Sequence, residues 1–82
     1  MPRFFFDYHV VPQQGDSQLE PDREGLDIVD AESACTQAIV ALTEIAQDLL
    51  PRLAHREIAI EIRDENGLLV KTRIVFELVK LR

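Results

Sequence analysis

The residues of this chain best suited to chemistry are Asp7 and His9, spaced i, i+2 in the stretch "RFFFDYHV" near the N-terminus. On an extended strand, residues two apart share a face and sit roughly 7 Å from one another along the backbone. A carboxylate and an imidazole so placed offer two ligands to a metal ion, and the third would have to come from His55 or from acids in a neighbouring loop. No spacing in the chain enforces that third ligand. Two polar groups on a solvent-facing strand account for the pair more simply. The expectation is therefore no metal and no cofactor, with Asp7, His9 and His55 as the candidates should one bind.

Five further acids, Asp16, Glu20, Asp22, Glu24 and Asp27, crowd one segment. Calcium takes six to eight oxygens, but the D-x-D-x-D-G order with its distal glutamate is missing, so a solvated acidic loop is expected. The single cysteine, Cys35, falls on the apolar side of a predicted helix, where a thiol is buried and inert rather than nucleophilic. There is no P-loop, GxGxxG, CxxC or nucleophile elbow. The chain is expected not to be an enzyme, and no catalytic residue is assigned.

The elements that carry these residues follow from composition and pattern. Eighty-two residues with 46% hydrophobic and 29% charged side chains make one ordered domain, 1–82. A core of this size supplies little stability, so association with a second copy is a common supplement. The net charge of −6 repels phosphate, which argues against a nucleic-acid partner. No stretch approaches the roughly 20 apolar residues of a membrane span, and the Phe4–Phe6 run is too short for a signal peptide. With one cysteine that cannot close an internal disulfide, a cytoplasmic location is expected.

Residues 3–11 read as a strand ended by Pro12, with Phe4, Phe6, Tyr8 and Val10 on one face and Phe5, Asp7, His9 and Val11 on the other. Residues 12–23 are rich in turn formers and read as a loop, followed by a short strand over 25–29. Asp30 is a natural N-cap for a helix that Pro51 stops. Its apolar positions are Ala31, Cys35, Ala38, Ile39, Leu42, Ile45, Ala46 and Leu49, with Ala34, Ala38 and Ala41 as a small-residue flank. The last third reads as a hairpin. A loop of three residues, Glu65-Asn66-Gly67, pairs Ile62 with Val70, Ile60 with Thr72, Ile58 with Ile74 and Glu61 with Lys71, whereas a two-residue loop would bury charge. The second arm could run on to Leu81, so residues 77–81 overhang the first arm and must pair with the N-terminal strand, pair with another subunit or fray.

The start "MPRFFF", the "DREG" turn, a helix with alanines at 34 and 38, and the "EIRDENG" hairpin occur in that order. Together they resemble a family of small uncharacterised bacterial proteins that typically begin Met-Pro-Arg-Tyr-Phe-Phe, with Phe4 standing where tyrosine is usual. The resemblance implies a bacterial, cytoplasmic, stand-alone domain, and it carries no site residues across.

The fold class expected is α+β, in the order β-β-α-β-β, with one long helix on one face of a mostly antiparallel sheet. One helix covers one face only. Phe5, Val11, Ala59, Leu69, Val75, Val79 and Leu81 all fall on the other, where a joined apolar patch would mark an interaction surface. Phe5, Val75, Val79 and Leu81 are the interface candidates. The leading functional expectation is a homodimeric protein-interaction or regulatory module, which leaves room for an unidentified protein partner. The alternatives are an antitoxin-like regulator that binds a basic protein, and a metal or small-ligand binder built on Asp7, His9 and His55.

Overall fold

Alternation of large apolar residues with polar ones forces the first ten-residue strand to present two different faces, and the rest of the chain is arranged around it. The computed structural model describes residues 1–49, 51 and 55–82, and the side chain of His55 lies outside the described residues. Strand β1 is Arg3–Pro12, β2 is Gln18–Glu20, β3 is Leu26–Asp27, helix α1 is Ala31–Leu49, β4 is His55–Asp64 and β5 is Gly67–Val75. The fold is α+β. The sheet is antiparallel, in the order β2-β1-β4-β5, with β3 also paired to β1. β1 therefore lies inside the sheet, a question that periodicity alone left open.

The helix begins where expected. Asp30 Oδ1 accepts the Ser33 N–H at 2.8 Å, and the Asp30 carbonyl accepts the Ala34 N–H at 3.1 Å. Its buried line is Ala34, Ala38 and Leu42, one residue per turn, packed over β4 and β5. This shifts the contact arc from the one read in the sequence. The alanine flank lies deepest, and Ile39 is left 53% exposed. Small side chains let the helix axis approach the sheet, so the seam is set by closeness rather than by side-chain size. Phe4, Ile28, Ile58, Ile60 and Ile62 complete the buried core, with Phe6, Tyr8, Ile74 and Phe76 packed around it.

The hairpin pairs as expected over its length: Ile62 with Val70, Glu61 with Lys71, Ile60 with Thr72 and Ile58 with Ile74. The offset is accommodated differently near the turn. Asp64 pairs with Gly67 and Arg63 with Leu68, so only Glu65 and Asn66 lie between the arms. The extra residue is Leu69, at a register shift in β5. Asp64 Oδ1 accepts the Asn66 N–H at 2.8 Å, and Gly67 takes φ +113° to close the turn.

Two other expectations are corrected. Residues 18–20, read as loop, form β2 against Tyr8–Val10. The second hairpin arm is paired with β4 only as far as Val75, opposite Glu57, rather than over its full reach to Leu81. The Phe76 N–H donates to the Arg56 carbonyl at 2.8 Å, and residues 77–82 are exposed without regular structure.

Candidate functional site

The sheet face turned away from α1 is built from charge. Pairing sets Phe5 beside Arg63, Asp7 beside Glu61 and His9 beside Ala59, then Glu61 beside Lys71 and Ala59 beside Arg73. Arg73 reaches Glu57 at 3.0 Å, while Lys71 Nζ lies 3.9 Å from Glu61 Oε1. Arg3 and Asp27 close another pair at 3.0 Å.

One arginine organises this face. Arg63 Nε donates to Asp7 Oδ2 at 2.8 Å, its NH2 group donates to the Asp22 carbonyl at 2.8 Å, and its guanidinium stacks 4.5 Å above the centre of the Phe5 ring. Asp7 Oδ1 in turn accepts the Asp22 N–H at 2.9 Å. The Asp22 side chain then fills the gap between β2 and β3. Its Oδ2 accepts the Phe6 N–H at 3.1 Å, and its Oδ1 accepts the N–H groups of Glu24 and Gly25 at 3.2 and 3.1 Å. Burial alone would raise the Asp22 carboxyl, but those backbone donors and the Arg63 charge outweigh it and hold it below the ordinary carboxylate value. Gly25, at φ +72°, lies directly over β1: a Cβ there would meet the Phe4 carbonyl and the Phe5 ring at 2.9 Å.

The metal candidates separate on this geometry. Asp7 is 7% exposed, buried rather than solvent-facing, and both of its oxygens are engaged by Asp22 and Arg63. His9 Nδ1 lies 3.9 Å from Glu61 Oε1 and is buried with no hydrogen-bond partner among the described residues. His55 opens β4 opposite Pro12, and its side chain lies outside the described residues. Among the described residues, no three metal-ligating side chains gather.

The interface candidates separate as well. Phe5 is half-buried beneath Arg63, and Ala59, on the same face, is fully enclosed by its neighbours. Ion pairs therefore interrupt the apolar residues of this face. Val75 is 57% exposed at the end of β5, and Val79 and Leu81 are exposed beyond it. Sequence reasoning passed over Arg63 and took Asp22 only as one acid of a solvated loop, although the two lie in the motifs "EIRDENG" and "DREG". Those two motifs and "MPRFFF" meet at this one cluster.

The second feature is the border formed by β5. In an antiparallel ladder, alternate residues turn both backbone polar groups to the same side. The Phe76 N–H points to β4, so Val70, Thr72 and Ile74 point there too, and Lys71, Arg73 and Val75 turn theirs outward. Leu68, Leu69 and Val70 are exposed along the same strand. The opposite border is broken into β2 and β3, of three and two residues.

Fold and site together define a small α+β domain with one helix on an antiparallel sheet, its open face locked by an arginine clamp and one long border unpaired among the described residues. The chain belongs to a family described as a domain of unknown function, DUF6894, whose model matches residues 3–76. No curated protein and no solved structure matches it. The matched span contains the whole clamp and ends at Phe76, the residue whose N–H bonds to Arg56.

Proposed function

We propose that this domain is a non-enzymatic interaction module that associates with a second copy of itself through the β5 border. The observation that carries the reading is the nine-residue edge strand, which has no neighbouring strand on its outer side among the described residues and leaves Leu68, Val70 and Val75 exposed along it. Such an edge presents unpaired backbone N–H and C=O groups, a ready template for another strand. Lys71 and Arg73 do not block it, since each already faces a glutamate of β4. The polar face opposite α1 is occupied by its own ion pairs, with Asp7 and Phe5 both engaged by Arg63. Light scattering at high micromolar concentration should return twice the 9.4 kDa chain mass. A monomer under those conditions would end the proposal.

A second reading, a surface for a basic partner protein, is favoured by one observation. Helix α1 carries Glu32, Glu44 and Asp48 and no lysine or arginine. Its test is salt: a complex held by this face weakens steeply as ionic strength rises, whereas strand pairing does not.

A further inference from the structure

We infer that the two β5 strands pair antiparallel about a two-fold axis at Ile74, and that residues 77–81 join the sheet as a continuation of β5 along the partner copy. This deepens the self-association proposed above and rests on it.

A two-fold axis normal to the sheet keeps both helices on one side and sets each residue of β5 opposite one of the same parity. The choice of axis residue then decides which side chains meet. With the axis at Lys71 or at Arg73, a cation faces its own copy. With the axis at Thr72, Lys71 faces Arg73 twice. Like charges directly opposite are destabilising.

With the axis at Ile74, Arg73 meets Val75, Thr72 meets Phe76, Lys71 meets Glu77, Val70 meets Leu78 and Leu69 meets Val79. Lys71 gains a carboxylate where its own glutamate stands off at 3.9 Å. Every remaining pair down to Leu69 has an apolar member on at least one side. An axis at Val75 instead sends Glu77 to Arg73, already bound to Glu57 at 3.0 Å, and sets Val70 against Lys80. Ile74 is the better centre.

Backbone phase agrees. Lys71, Arg73 and Val75 turn their N–H and C=O groups outward, so Arg73 with Val75 and Lys71 with Glu77 become the hydrogen-bonded pairs. Ile74 faces its own copy as a non-hydrogen-bonded pair. Val70, Ile74, Phe76 and Thr72 lie on the helix-covered face, so the junction places an apolar row between the two cores. The register also gives a place to Leu78 and Val79, which are exposed and belong to no strand.

The test is disulfide trapping in a Cys35→Ala background, with single cysteines at Thr72, Ile74 and Val75. Non-hydrogen-bonded partners sit about 4.5 Å apart at Cα, inside the roughly 4.4–6.8 Å window of a disulfide. Ile74→Cys should give several-fold more covalent dimer than Thr72→Cys or Val75→Cys, and Glu77→Lys should weaken the non-covalent dimer several-fold. If Ile74→Cys folds poorly, mixing Val70→Cys with Leu78→Cys chains should trap the same register. A dimer by light scattering whose strongest trap lies elsewhere overturns the register and leaves self-association standing. A monomer with no trap overturns both.

Discussion

Arg63 and Asp7 lie 56 residues apart in the chain, yet Arg63 Nε donates to Asp7 Oδ2 at 2.8 Å across β4 and β1. Asp7 is nearly enclosed, while the Arg63 side chain is 37% exposed on its outer side. A charge-assisted bond of this kind contributes more than a neutral one, and removing a single partner leaves the other desolvated. Asp7→Asn and Arg63→Gln should each cost about 2 kcal/mol, toward the charged end of measured hydrogen-bond losses. Urea unfolding of the two single variants and the double variant measures their coupling. Costs that simply add would mean the two residues act independently.

The Asp22 carboxyl titrates below its ordinary value of 3.8 in the folded chain. Its folded value lies under its unfolded one, so it contributes stability that is fully present above the unfolded value and lost as pH falls through the folded one. Stability should therefore decline on acidification below about pH 4, the ordinary carboxylate range. Asp22→Asn should be less stable than the parent at neutral pH, with a flatter acid limb. Thermal melts between pH 2 and pH 7 check this, and parallel acid limbs would remove Asp22 from the account.

Gly25 is required twice over. Its φ of +72° costs an L-residue roughly 1–2 kcal/mol. In addition, a Cβ would meet the Phe4 carbonyl oxygen at 2.9 Å, a backbone atom that cannot rotate away. Gly25→Ala should lose more than the conformational cost alone. Gly15→Ala, also at positive φ but with nothing within 4 Å, should lose only that cost. Comparing the two by chemical denaturation separates strain from close approach, and equal losses would show that the contact does not matter.

What was legible in the sequence was local or parity-driven. The Asp30 cap, the face of β1 that holds Phe4 and Phe6, and the hairpin pairing all follow from side-chain period and charge, since a one-residue slip would bury Lys71 or Arg73. The α+β class followed from the element order. β2 was not legible, because Gln18-Leu19-Glu20 has little strand character and pairs only where β1 offers it a free edge. The clamp was not legible either. Arg63 meets the Asp22 carbonyl from 41 positions away, and no periodicity encodes a contact that exists only after β1 and β4 have paired. Asp7 was read as solvent-facing because parity names a face without saying what the loop above it will do.

The helix seam offers a test in which residue size and burial point in opposite directions. By hydrophobicity alone Ile39 should matter more than Ala38. The structure places Ala38 at full burial against the sheet and leaves Ile39 more than half exposed. Enlarging a packed site forces neighbours off their preferred rotamers, at about 1–3 kcal/mol. Ala38→Leu should therefore destabilise within that range, although it adds apolar surface to an amphipathic helix. Ile39→Gln removes apolar surface and should stay within roughly 0.5 kcal/mol of the parent, as substitutions at exposed sites do. Urea midpoints of the two variants decide the matter. If Ile39→Gln proves the more damaging, either the helix is rotated from this placement or its exposed flank is covered by a partner.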